Sequence, residues 1–292
     1  MKNMNYQFKN ILGTFVVDES CTILSSKADP KAKELPKEKL PQVLALFKDK
    51  KYFSQFHQEN LKLTKLAIKN SINEDQLIMQ TISNINELDK INNILIKRLR
   101  EWHSLYLPEL SEAVADHEKF LELTNKAKTV LLKEFKIAET MGADLEKRDV
   151  EQIKLLAAKL AEIYELRKQH ELYLQSVMEK YCPNLLELAG VTIGAGLIEL
   201  AKGLKHLALL PASTVQLLGA EKALFRHIKT GSRSPKHGII INHPFVQSAG
   251  RELKGKAARM LADKLSLCAR LDYFKGEFKA EEYKTELEAA LK

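Results

Sequence analysis

Three cations in this sequence fall where a helix would line them up. Lys222, Arg226 and Lys229 lie in the stretch LGAEKALFRHIKTGSRSPKHGIIINHP, Leu218 to Pro244. A helix opening at Gly219 carries side chains at i, i+4 and i+7 on one face. Leu224 and Ile228 then turn the other way, towards a core. Thr230-Gly231 ends the helix, glycine being the usual stop, and the loop beyond adds Arg233, Lys236 and His237. Between Gly219 and Gly238 five Lys/Arg residues face one acid, Glu221, a local net charge of +4. Free backbone N–H groups at a helix start beside a cationic stripe bind anions, polyphosphate foremost. A solvated face without function has the same composition, so charge alone leaves both readings open. Glu221 is placed to suit the positive end of the helix dipole. A second basic group follows at Lys254, Lys256, Arg259 and Lys264, and Arg251 to Lys275 again carries a net +4.

Periodicity indicates what would hold these residues. Ile11 to Ser25 reads as two β-branched runs around Asp18-Glu19-Ser20, a hairpin that must pack on something. Lys27 to Pro41, with five lysines, three acids and three prolines, reads as a linker. From Gln42 the pattern is helical. Ser71 and Glu74 have capping-box spacing ahead of Leu77, Ile78, Ile82, Ile85 and Leu88. Trp102 and Leu105 read as core at a helix corner that stops at Pro108. Glu112 to Thr140 and Arg148 to Tyr181 read as two long helices joined near Gly142, an antiparallel hairpin. Ile153, Leu156, Leu160, Ile163, Leu174 and Val177 form a heptad seam interrupted by Arg167 and His170, and are the expected self-association residues. Cys182-Pro183 opens a last, helical domain.

The totals agree with a folded helical protein: 292 residues, 45% hydrophobic, 29% charged, only 12 Gly and 8 Pro. A formal charge of +8 favours an acidic partner, nucleic acid among them, and equally fits a lysine-rich proteome. No apolar run reaches membrane-spanning length, and no apolar signal core opens the chain. Cys21, Cys182 and Cys268 are odd in number and far apart, giving neither a disulfide framework nor a zinc site. The chain reads as cytoplasmic and reduced. GVTIGAG, from Gly190 to Gly196, lacks the preceding strand and the Lys-Ser/Thr of a nucleotide loop, so its small residues are read as permitting close helix packing. The histidines have no metal spacing, and no nucleophile elbow or dinucleotide motif is present.

GAEKALFR, followed by a basic loop, PKHG and HP, closely resembles the signature of the Nop domain of archaeal and nucleolar box C/D ribonucleoproteins. NELDKINNILIKRLREWHSLYLPEL is similar to the family's approach to its coiled coil, with His103 where an aromatic residue is more usual. The segment from Gly250 to Gly276 resembles the end of the domain. The resemblance runs from about Leu61 to Phe274. It implies a scaffold, not an enzyme, with no metal and no cofactor of its own, S-adenosylmethionine entering only through the methyltransferase fibrillarin. Carried onto this chain, it puts Gly219, Ala220, Glu221 and Lys222, then Ala223, Leu224, Phe225 and Arg226, on an RNA-facing helix. Lys222, Arg226 and Lys229 contact phosphates, Arg233, Lys236 and His237 border a kink-turn, and Lys256 and Arg259 add to the surface. The implied partners are a box C/D guide RNA, the ribosomal-protein-like protein bound to its kink-turn, fibrillarin, and a second copy of the chain.

The expected architecture is mainly α: a small N-terminal α+β hairpin region, a long antiparallel coiled-coil hairpin and an all-helical Nop domain. The boundaries are 1–50 for a reduced N-terminal domain and linker, 51–110 for a helical connector, 111–182 for the coiled coil and 183–292 for the Nop domain. The family's N-terminal domain usually exceeds a hundred residues, so fibrillarin docking rests here on a reduced version. No long lysine-rich tail of the eukaryotic kind follows, which points to an archaeal protein, cytoplasmic there and nucleolar in a eukaryote. Two other readings stand beside this one: a splicing-factor-like Nop protein, and a structural coiled-coil adaptor whose basic charge is incidental.

Overall fold

The computed structural model describes residues 5–26, 29–30 and 32–290. In chain order it contains β1 (Tyr6–Asn10), β2 (Gly13–Val17), β3 (Ile23–Ser25), β4 (Lys33–Glu34), α1 (Leu40–Leu46), α2 (Lys50–Ser71), α3 (Glu74–Ser104), α4 (Pro108–Ala113), α5 (His117–Thr124), α6 (Lys128–Glu134) and α7 (Lys147–Tyr181). Then follow α8 (Pro183–Ala189), α9 (Val191–Ala201), α10 (Leu204–Leu209), α11 (Ala212–Leu217), α12 (Glu221–Thr230), α13 (Pro244–Ser248), α14 (Lys254–Tyr273) and α15 (Ala280–Ala290). The fold is mainly helical, as the periodicity predicts. Two compact units divide the chain, Met1–Asn73 and Glu74–Lys292. Among the described residues no single helix is long and apolar enough to cross a membrane.

The first unit is built on a four-stranded sheet of order β3-β2-β1-β4. The expected hairpin is β2 and β3, antiparallel, with a register shift at Val16/Val17. Its turn is organised by Asp18, whose carboxylate accepts from the N–H groups of Ser20 at 3.0 Å and Thr22 at 2.8 Å. The linker reading fails for its later part. β4 pairs parallel to β1, and helix α1 starts at Leu40, because Val43 and Phe47 pack with Phe8, Val17 and Cys21 into a small core. Lys27, Ala28 and Lys31 of that segment lie outside the described residues. Ser71 does not cap α3 either; its hydroxyl donates to the carbonyl of Ile68 at 2.7 Å, inside α2.

The second unit has the antiparallel hairpin, but with a different first arm. α7 lies along α3, with Asn84 near His170 at 3.3 Å and Arg167 bonded to Asp89 at 2.8 Å. Glu112 to Thr140 is no long helix. Asp116 caps α5 by accepting from Lys119 N–H at 2.7 Å, and Glu109 holds the irregular stretch after α6 by accepting from Thr140 Oγ1 and Met141 N–H. Local capping therefore breaks that segment into α4, α5 and α6, and the partner arm comes from Ile78, Ile82, Ile85, Ile96 and Leu99 of α3.

The seam residues are accordingly spent inside the chain. Ile153, Leu160 and Leu174 are buried, while Leu156, Ile163 and Val177 are half-buried. A self-association role for the three buried residues is thus corrected. Trp102 and Leu105 are also not core, at 37% and 59% exposed. One turn after Leu99 the inward position is His103, 2% exposed and edge-on to Phe120. Between the two apolar clusters of the hairpin lies a polar waist. There the Asn92 side-chain amide is buried with no hydrogen-bond partner, and Arg167 joins Asp89 to Glu171.

Of the remaining helices, α8, α10, α11, α13 and α15 pack against α14. Asp272 fixes the entry to α8, accepting from Asn184 N–H at 3.1 Å and Leu185 N–H at 2.8 Å. Burial pushes its carboxyl up, and those donors oppose the shift. The small-residue reading of GVTIGAG holds. A Cβ on Gly194 would meet Met178 at 3.0 Å, and one on Gly196 would meet Ile239 at 2.6 Å. Cys21, Cys182 and Cys268 are buried free thiols.

Candidate nucleic-acid interface

The basic signature forms α12 and the loop after it. Ala220 is the residue before the helix, and Glu221 reaches back so that its carboxylate accepts from Gly219 N–H at 2.7 Å. Glu221 therefore closes the helix start and is not a group that offers itself to an anion. At the far end Gly231 takes the left-handed conformation, φ 66°, as the predicted stop. Irregular chain then runs to Gly238 before a 3-10 turn at Ile239–Asn242.

No residue of α12 is buried. Lys222, Arg226 and Lys229 fall within about 60° of one another on its circumference at 100° per residue, and all three are exposed. The expectation that Ile228 faces a core is wrong: Ile228 and Phe225 are each 70% exposed, while Leu224 is half-buried. The reason is position, since α12 stands on an excursion whose ends alone are fastened to the packed helices. It offers two faces to solvent, one cationic and one apolar.

Arg233 and Lys236 are exposed and His237 half-buried in the loop. The stem of Lys236 lies against the first turn of α14, where a Cβ on Gly255 would stand 3.4 Å from Lys236 Cδ. The loop therefore reaches the helix that carries Lys254, Lys256 and Arg259, and the two basic groups, separate in sequence, meet there. Among the described residues none of Lys222, Arg226, Lys229, Arg233, Lys236, Lys256 and Arg259 has a carboxylate within ion-pair distance. Lys264 differs: it is bonded to Glu286 and lies 4.7 Å from the centre of the Tyr283 ring. It is thus removed from the second basic group.

The nearby histidines have structural roles. His227 Nδ1 bonds the carbonyl of Ser232 and folds the loop back on the helix end. His243 accepts from Phe245 N–H on Nδ1 and bonds the Leu188 carbonyl through Nε2 at 2.9 Å; burial pushes its pKa down. Two positioning features escape a reading of charge patterns, Gln216 and Gly255. The only sequence signal for them is the pair of glycines, 219 and 238, that brackets the basic stretch.

A surface of exposed, unpaired cations on a preformed helix and loop suits a polyanion of fixed shape, contacted at phosphates rather than read by sequence. Comparison with known proteins identifies the family. The family described as "Nop: snoRNA binding domain, fibrillarin" matches residues 84–292. An uncharacterized NOP5 family protein of Methanocaldococcus jannaschii is 44% identical over 246 residues, covering 78% of this chain and 59% of that protein. Nucleolar protein 56 of Caenorhabditis elegans is 37% identical over 245 residues, covering 73% of this chain and 50% of that protein. Human nucleolar protein 56 is 36% identical over 236 residues, with 72% of this chain and 39% of that one covered. The chain thus spans roughly two-fifths to three-fifths of the length of these relatives. A solved structure titled as a fibrillarin/Nop5p complex overlaps 98% of this chain and 100% of its own, at 24% identity and a TM-score of 0.48.

Proposed function

The chain belongs to the Nop family, and on that premise we propose that it is a non-catalytic scaffold of a box C/D guide-RNA ribonucleoprotein. Its second unit grips a kink-turn RNA together with the small ribosomal-protein-like protein that the RNA carries. The observation that supports this most directly is the α12 excursion, whose cations have no carboxylate partner and whose apolar face, Phe225 and Ile228, is open. The cations suit phosphates, and the apolar pair suits a protein surface beside them. Fibrillarin, named in the family description, docks on the sheet of the first unit and supplies guide-directed 2′-O-ribose methylation. Under this reading the protein is nucleolar in a eukaryotic host and cytoplasmic in an archaeal one.

Self-association moves to the face of α7 opposite the seam, where Leu155, Leu166 and Tyr173 share a stripe at 54%, 41% and 44% exposure. A second copy would bury that stripe, and sedimentation of Leu166→Glu, expected to yield monomers, checks it.

The deciding experiment titrates the chain into a box C/D kink-turn RNA, bare and preloaded with the kink-turn protein, at two salt concentrations. The scaffold reading expects weak binding to bare RNA and tight, salt-sensitive binding to the loaded RNA. Equal binding to both makes the chain a generic cationic RNA binder. Binding to neither leaves a coiled-coil adaptor with incidental charge.

A further inference from the structure

Five of the cations assigned to RNA sit on one excursion of chain between Leu218 and Gly238. Left free, such a segment would lose conformational entropy on binding and its charges would occupy no fixed array. The structure fastens its two ends to each other. Gly238 N–H donates to the Gln216 carbonyl at 2.7 Å, and Ile239 N–H donates to the Leu218 carbonyl at 2.7 Å. The Gln216 side chain adds a third bond, its amide donating to the carbonyl of Lys236. Gln216 thus holds the returning strand twice, once through its backbone and once through its side chain.

What the side-chain bond fixes is the direction of Lys236. That residue lies in chain without helix or strand, and its stem rests on α14 at Gly255. With its carbonyl tied to Gln216 and its stem on Gly255, Lys236 is held at the start of α14, the helix that carries Lys254 and Lys256. We propose that Gln216 is a positioning residue of the RNA surface, acting through Lys236 and touching no RNA itself. This rests on the RNA-binding reading given above.

Gln216→Met keeps length and helix propensity and removes the carboxamide that donates to Lys236. With a box C/D kink-turn RNA preloaded with its protein, the variant should bind about three- to tenfold more weakly, the equivalent of one neutral hydrogen bond. Its log–log salt slope should match the wild type, because the same phosphates are still met. Lys236→Ala should instead lower the slope by about one. Adding Gln216→Met to Lys236→Ala should cost nothing further, since the two act in series. Unchanged binding by Gln216→Met, a changed slope, or an equal loss in both backgrounds overturns the proposal. A lower thermal midpoint with a lower active fraction and unchanged affinity also overturns it, as that marks a role in folding alone. If the wild-type chain binds no RNA, the RNA reading itself falls first, and this proposal with it.

Discussion

A Cβ on Gly238 would stand 1.8 Å from the carbonyl oxygen of Leu218, so the two strands at the foot of the α12 excursion approach as only glycine allows. Gly238→Ala must push them apart and break the bonds to Gln216 and Leu218. The expected cost is about 1–3 kcal/mol, as for other overpacked sites. Urea denaturation measures it, and hydrogen exchange should show lost protection at residues 238 and 239 while α14 stays protected. Unchanged protection there would sink the clasp as described.

Arg226 and Lys264 separate free from occupied cations. Arg226 is exposed without a carboxylate partner, whereas Lys264 is held by Glu286. Arg226→Ala should weaken binding to kink-turn RNA and lower the salt slope by about 0.9, one phosphate's share. Lys264→Ala should leave the slope unchanged. Equal slopes for all three proteins would misplace the RNA face.

Phe225 and Ile228 test the apolar face. Each is 70% exposed on a helix with no buried residue, so replacing both with serine removes nothing from the chain's own core. Thermal stability should hold within about 0.5 kcal/mol, as for surface substitutions. Binding to the protein-loaded RNA should fall at least tenfold, and binding to bare RNA should be unaffected. A parallel loss on bare RNA would mean that these residues stack on bases instead.

His103 should make the hairpin acid-sensitive. Burial between Phe120 and Tyr106 pushes its pKa from 6.5 down to about 4, and its Nδ1 has no partner. Between those values the unfolded chain takes up a proton that the folded chain refuses. Stability is therefore full above pH 6.5 and falls as pH drops, by about 3 kcal/mol at pH 4 at about 1.4 kcal/mol per tenfold difference in proton affinity. His103→Phe should abolish this part of the pH dependence and raise stability at neutral pH, which denaturation across pH 4–8 reads directly. A wild-type-like profile in that variant would exclude His103 as the cause.

The sequence by itself determined the local structure of the basic signature. Its 3–4 charge spacing gives a stripe on α12, and Gly231 stops the helix because a left-handed residue is needed there. It also determined the β2–β3 hairpin, since Asp18 organises its turn from residues two and four positions away. The pairing of arms lay beyond its reach. Heptad spacing states that α7 has a seam, and α3 or the segment from Glu112 offers leucine and isoleucine at similar intervals. Capping by Asp116 and tethering by Glu109 decided between them.

Tertiary structure alone decided which apolar residues face inward. His103 is buried while Trp102 is partly exposed, and Ile228 faces solvent although its spacing suits a core. Periodicity fixes the angle of a side chain about its helix but carries no information on whether another element stands opposite. Only the chain's return through Gly238 and Ile239, locked to Gln216 and Leu218, sets α12 on an excursion and brings Lys236 against Gly255. The two bonds join residues 22 and 21 positions apart through backbone groups, which every residue carries and no sequence pattern marks.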